Sequence, residues 1–397
     1  RMLNLSSFVA LQLASFILIP FFLLSAYCLV SYFFEEKNKR KICFIFFVFA
    51  SGLGWLLSTF VNKVLSIDVT TFTPYILFGA PHMIASLTLI ILIFLFSLYT
   101  FDKYKIIYSL WAGFCAFLLF SFHPYHVCTI FGVLGAFLVV EFLIDKKIYF
   151  EHIVHYIILL IFSAPPIIYY LWCFLNIPVY YQTLFLQNVT LTPALWIVLA
   201  DFSALLILAI LGIISLVKEK NINRKNIFLI VWVITQFFLI YLPINTNRRL
   251  LEGLSIPITI LAVYGIFFLE NWLKNNSKSL YKLYCLSSFS LFVYIFCLSI
   301  FFIFTIDLSF FEYNPTLAYL KKDNENTMIW LKENTPEQSV VLSSYENGNI
   351  IPVIASRPVY YGHWSGTVRA SEKSILSYNF FKKDDDQERR IFLETNS

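Results

Sequence analysis

The sequence predicts a mainly α-helical protein: a polytopic transmembrane bundle of about ten spans followed by a small C-terminal extracytoplasmic α/β domain. Three observations carry this. Hydrophobic residues make up 59% of the 397 and charged residues only 13%, against roughly 45–50% and about 25% in a soluble domain. Apolar runs of roughly 17–25 residues, the length that crosses a bilayer, recur as far as Thr305. Beyond Thr305 the composition turns polar, with 13 acidic and 10 basic residues in 306–397. The domains are therefore 1–305, transmembrane, and 306–397, extracytoplasmic.

The spans fall near Phe8–Phe34, Ile42–Phe60, Pro81–Leu98, Ile107–Phe122, Val127–Ile144, Ile153–Pro178, Ala194–Val217, Ile227–Ile244, Leu254–Trp272 and Cys285–Thr305. The fourth and fifth are short and separated only by His123-Pro124-Tyr125-His126, so they fit either two spans or a re-entrant hairpin covered by protein. Pro165-Pro166 is expected to kink the sixth. Ser51-Gly52-Leu53-Gly54-Trp55, inside the second, reads as small-residue helix packing.

Loop charge fixes the expected orientation. The connections 35–41, 100–106, 145–152, 218–226 and 273–284 hold fifteen Lys or Arg, and the opposite set only Lys63, Arg248 and Arg249. By the positive-inside rule the first set is cytoplasmic, and both ends of the chain lie outside. Arg1 is not an initiator and no signal peptide is visible, so upstream helices, odd in number if the true terminus is cytoplasmic, are expected.

In 306–397, helical spacing over Pro315–Glu333 stops at Asn334-Thr335-Pro336. Ser339–Ser343 and Arg357–Tyr361 read as strands, Asn347-Gly348-Asn349 as a turn, and Thr367–Phe381 as a helix; Ile350–Ala355 could be another. Alternating strands and helices predict the α/β layer. No closing element is evident before Ser397, so truncation there is expected.

The 44 Phe accompany an excess of Ile, Asn, Lys and Tyr, the signature of A/T-rich codons, and carry no sugar-binding message. The seven cysteines lie in or beside apolar runs, which excludes a disulfide framework in the C-terminal domain, and no C-x-x-C pair suggests zinc. Nothing resembles a phosphate loop, a dinucleotide fingerprint or a nucleic-acid-binding surface.

Several residues could carry chemistry. Arg248-Arg249 stand in an outward loop, where arginine is disfavoured. Their guanidinium forks suit a lipid-linked phosphate; the alternative is that one snorkels to headgroups while the other pairs with Glu252. His123 and His126, flanking Tyr125, could share a metal or shuttle protons. Two ligands without a nearby carboxylate make a poor metal site, and an interfacial polar cap is the alternative. His82 opens the third span. Asp68, the one carboxylate in its loop, is either a general base or simply solvated. In the outer domain, Arg357, Tyr361, His363 and Trp364 gather at a strand end, with Glu346 following the preceding strand. They would hold a ligand or stack on a sugar; the alternative is that Trp364 packs the domain onto the membrane helices.

Ser51-Gly-Leu-Gly-Trp55, Pro81-His82, His123-Pro-Tyr125, Arg248-Arg-Leu-Leu-Glu-Gly253, Trp330-Leu-Lys-Glu-Asn-Thr-Pro336 and Gly362-His-Trp364 occur in this order. Together they resemble a group of bacterial multi-spanning proteins similar to the GT-C superfamily of glycosyltransferases, which includes the protein mannosyltransferases and the lipid-A aminoarabinose transferases. The likeness runs from about residue 50 to 375. It implies sugar transfer from a polyprenyl-phosphate donor to an acceptor on the outer face of the bacterial plasma membrane. It also implies an acidic base or metal ligand in the first outward loop, basic residues on the donor phosphate, a soluble outer domain over the site, and a role for a divalent metal. Arg248 and Arg249 match the phosphate-holding role; the principal carboxylate is expected upstream of Arg1. The chain departs from the group at Gly366 and at Val69-Thr70-Thr71-Phe72, where glutamates are expected. Expected partners are a lipid-linked sugar donor and membrane lipids. A transporter or flippase of lipid-linked sugars is the alternative, as is a non-catalytic scaffold whose outer domain binds glycans or protein.

Overall fold

The computed structural model describes residues 7–52, 71–78, 80–219, 222–292, 320–382 and 385–396. Asp68, Leu53–Trp55 and much of the expected second and tenth spans lie outside the described residues.

The chain divides into two compact units, one of residues 1–171 with 190–303 and the other of 172–189 with 304–397. Described helices of the first unit are α1 (Ser7–Phe33), α2 (Lys37–Phe49), α3 (Thr73–Phe78), α4 (Pro81–Lys103), α5 (Ile106–Phe122), α6 (His126–Asp145), most of α7 (Phe150–Asn176), α8 (Leu195–Lys218), α9 (Arg224–Leu239), α10 (Ser255–Asn276) and α11 (Lys278–Phe292). A 3-10 turn, Asn247–Leu251, leads into α10.

Six described helices are long and apolar enough to cross a membrane: α1, α4, α6, α7, α8, and α10 with its preceding turn. The chain therefore has the make-up of a multi-pass membrane protein. The expected count of about ten is not met among the described residues. At 1.5 Å per residue, α2, α5 and α9 extend about 20, 26 and 24 Å, short of a hydrocarbon core of about 30 Å. Apolar run length overstates the spans because parts of those runs are turns: α9 stops at Leu239, and the run to Ile244 continues as hydrogen-bonded turns.

Apolar residues divide by facing. Phe16, Phe21, Leu160, Ile161, Ile168 and Phe238 are exposed, as side chains meant for lipid must be. Inside, Phe101, Phe137, Phe228, Phe94 and Trp232 form a connected series, with ring centroids 5.7, 5.3, 5.5 Å apart and finally 4.3 Å between Phe94 and Trp232. This is where some of the abundant phenylalanine goes. Helices α8 and α10 meet through reciprocal glycines: a Cβ on Gly212 would fall on the Leu261 carbonyl, and one on Gly265 on that of Leu208. Small residues allow that approach where lipid supplies no hydrophobic drive. Gly52 likewise lies against Asp201, whose backbone oxygen a Cβ would strike. That close approach is what small-residue packing requires. Pro165-Pro166 lie inside one helix, α7.

In the second unit the expected α/β layer is replaced by helices. They are α12 (Lys322–Asn334), α13 (Tyr345–Ile354), α14 (Ala370–Lys382) and α15 (Asp386–Asn396), with a π-helical segment, Tyr181–Gln187. Among the described residues the two expected strands reduce to a single parallel bridge, Val341 to Val359. Both apolar runs are too short to distinguish strand from extended connection by pattern. The expected turn 347–349 is the start of α13: the Ser344 hydroxyl caps it by accepting from Asn347 N. Gly348 serves close approach, because a Cβ there would strike the Tyr361 carbonyl. A closing element exists after all. From α15, Phe392 packs on Tyr360 and Phe380 at 5.5 and 5.4 Å.

Candidate functional site

His123-Pro124-Tyr125-His126 forms a β-turn between α5 and α6, closed by His126 N donating to His123 O at 3.2 Å. Proline at its second position pre-sets the backbone for such a turn. The turn aims both imidazoles inward, His123 6% exposed and His126 wholly buried. The expected polar cap at the surface is therefore corrected: these histidines are inside the first unit.

The carboxylate missing from the local sequence is supplied by Glu252, 2% exposed. His126 Nε2 donates to Glu252 Oε2 at 2.9 Å, and His123 Nδ1 stands 3.9 Å from the same oxygen. Glu252 is held through its backbone. Gln236 Nε2 donates to the carbonyls of Leu250 and Glu252 at 2.7 and 2.8 Å, and Trp232 Nε1 donates to Gln236 Oε1 at 2.7 Å. Gly253 then turns the chain into α10 at φ +85, a conformation natural to glycine. This explains Arg-Arg-Leu-Leu-Glu-Gly as a unit: Leu250 and Leu251 anchor in the core, Glu252 enters it, and Gly253 permits the bend.

The arginines precede that bend. Arg249 lies over the Tyr125 ring, 5.6 Å from its centroid. Arg248 is half-buried, and its Nε, shielded from solvent, meets no hydrogen-bond acceptor among the described residues. Backbone bonds fix the turn, with Arg248 N donating to Thr190 O at 3.1 Å and Asn247 Oδ1 accepting from Thr192 N at 2.7 Å. His82, exposed, sets its ring 5.2 Å from that of His123, edge to face. Burial is the main reason His123 stays neutral, its pKa lowered further by His126, His82 and Arg249.

Thus His82, His123, Tyr125, His126, Arg249 and Glu252, from three separate sequence motifs, gather at one end of the first unit, with Arg248 on the same turn. Chemically the group offers imidazole nitrogen, a carboxylate and guanidinium. Its His123, His126 and Glu252 ligand atoms all lie within 4.8 Å of one another.

The outer-domain candidates do not converge in this way. Arg357 is structural: its guanidinium donates to the carbonyls of Lys332, Thr335 and Ala355 at 2.7, 2.6 and 3.2 Å and to Thr335 Oγ1 at 3.0 Å. It caps α12 and the end of α13 rather than a ligand. Tyr361 is buried against Tyr345, ring centroids 5.7 Å apart. Trp364 is exposed, and Glu346 sits half-buried in the first turn of α13. His363 is the one of the five that lines a cleft of about 340 Å³, with Asn349, Tyr360, Thr367 and Lys373. Its Nδ1 is bonded to the Ser365 hydroxyl at 3.0 Å.

A second buried polar cluster went unread in the sequence. Glu141 Oε2 meets His152 Nδ1 at 2.7 Å, and Arg224 bridges Glu141 Oε1 and Asp145 at 2.8 and 3.1 Å. Close by in sequence, His155 is held between the hydroxyls of Ser109 and Ser97, each at 2.9 Å. The available signal was a lone glutamate in an apolar run, which in a membrane demands a partner. These bonds join α4, α5, α6, α7 and α9 and account for the polar groups as fastenings.

Compared with known families and characterised proteins, the chain matches no family model and has no significant match among the characterised proteins.

Proposed function

We propose that this protein is a glycosyltransferase of the bacterial plasma membrane, moving a sugar from a polyprenyl-phosphate-linked donor to an acceptor on the outer face. The observation that carries the reading is the turn Asn247–Leu251. It presents two adjacent arginines, one with a shielded Nε that meets no acceptor among the described residues, beside a buried imidazole and carboxylate group at the end of an apolar bundle. A lipid-linked phosphate needs this pairing of guanidinium forks with an apolar surface for its tail. In the reaction the acceptor oxygen attacks the anomeric carbon and its proton passes to a carboxylate base. The bond from that carbon to the phosphate oxygen breaks, and the arginines stabilise the departing phosphate. The base is a carboxylate of the outward loops, for which Asp68 is the candidate in this sequence, and the second unit is extracytoplasmic.

The test is polyprenyl-phosphate binding to the purified protein and to an Arg248→Ala, Arg249→Ala double variant. Roughly tenfold or greater weakening is expected from losing two charge-assisted contacts; equal affinity would sink the phosphate role.

A transporter or flippase is the second reading. It is favoured by Asp201, fully buried within α8, and by the non-helical backbone at Ser203, φ 20 and ψ −97, two residues on. Broken helices with an ionisable group are what transport through a bundle uses. Movement of a labelled lipid-linked sugar across proteoliposomes without acceptor would favour it over transfer.

A further inference from the structure

We propose that His123 Nδ1, His126 Nε2 and Glu252 bind a divalent transition metal, zinc being the best fit. The site is distinct from any carboxylate of the first outward loop, and it does not depend on the transfer reading.

Three observations point the same way. The ligand atoms converge to within 4.8 Å of one another. Two atoms facing the group, His123 Nδ1 and Glu252 Oε1, are buried with no hydrogen-bond partner among the described residues, a costly arrangement that a bound cation would relieve. The spacings also suit a small ion. Zinc bonds of 2.0–2.1 Å in a tetrahedron place ligand atoms roughly 3.3 Å apart. His126 Nε2 and Glu252 Oε2 are 2.9 Å apart, and His123 Nδ1 and Glu252 Oε2 3.9 Å, so these two pairs adjust by less than 1 Å, and the two imidazole nitrogens lie within 4.8 Å of each other.

The donor set selects the metal. Two neutral imidazoles and one carboxylate suit zinc and its first-row neighbours, whereas magnesium and calcium prefer oxygen ligands throughout. Three protein ligands leave a position open, as in catalytic zinc sites. Metal at His126 Nε2 replaces the proton now donated to Glu252, and Nδ1–H then faces Thr129 Oγ1 at 3.4 Å. Gln236, through the Glu252 carbonyl, keeps the carboxylate in place, an outer-shell role of the kind metal sites require.

The experiment is metal analysis of the full chain purified in detergent, after chelation and reloading with Zn²⁺ or Co²⁺ in the presence of excess Mg²⁺. One metal per chain is expected, with cobalt giving the visible absorption of a low-coordinate nitrogen and oxygen site. His126→Ala and Glu252→Gln should each weaken binding at least about tenfold. His123→Ala supplies the control on folding, because among the described residues its Nδ1 makes no hydrogen bond whose loss would unfold the chain. It should elute as the wild type does and still bind metal at least about tenfold more weakly. Substoichiometric metal in the wild type would overturn the site, as would unchanged affinity in a well-folded His123→Ala chain.

Discussion

His126 Nε2 and Glu252 Oε2 stand 2.9 Å apart although 126 residues separate them in the chain. The bond ties the α5–α6 turn to the bend before α10, and neither side chain reaches solvent. Truncation of one partner leaves the other buried and unsatisfied. Glu252→Ala should lower unfolding stability by about 1–3 kcal/mol. Glu252→Gln, whose amide oxygen still accepts, should cost less. Denaturant or thermal unfolding in detergent measures both, and equal losses would argue against the bond.

His123 gives the fold a pH dependence of definite sign. Burial lowers its pKa in the folded chain, so below the unfolded value of about 6.5 the unfolded chain binds more protons. Stability is therefore full above that pH and is lost as pH falls, by up to about 1.4 kcal/mol per pH unit. His123→Gln should flatten the stability profile between pH 7 and 5; an identical slope in the variant would count against the burial argument.

The α8–α10 crossing depends on having no side chain at Gly212 and Gly265. Either glycine replaced by Val must push the helices apart, since its Cβ would fall on a backbone carbonyl rather than a yielding side chain. A loss of about 1–3 kcal/mol is expected. Melting of the two variants in detergent checks it, and wild-type stability in both would mean the helices do not meet there.

Arg357 holds the ends of two helices in the second unit. In Arg357→Lys a single ammonium cannot reach the carbonyls of Lys332, Thr335 and Ala355 together. Faster amide exchange and proteolysis around residues 332–357 are expected, with about 1–3 kcal/mol of local stability lost. Unchanged protection in the variant would return Arg357 to the list of ligand-binding candidates.

Much of this was legible beforehand. The lipid-facing character, the starts of α4 and α6, and the end of α12 at Asn334 follow from local pattern and prolines. Arg-Arg-Leu-Leu-Glu-Gly and His-Pro-Tyr-His were each visible as motifs. What failed was inference from short apolar runs. Val341 and Val359 lie in segments read as strands that form only one bridge, and Phe392 lies in a closing helix that the polar residues around it disguised.

Composition alone points to lipid as the solvent, because an apolar excess has no water-soluble core to fill and the cost of exposing it is summed residue by residue. The local sequence determined where most helices run for the same reason: backbone bonds and side-chain burial are settled within a few neighbouring residues. That Glu252 completes a group with His123 and His126, and that Arg357 caps two helices, came from the packing of the folded chain. Those roles depend on which helix faces meet. That is fixed by contacts such as Gly212 against Gly265, between residues whose separation along the chain carries no local signal.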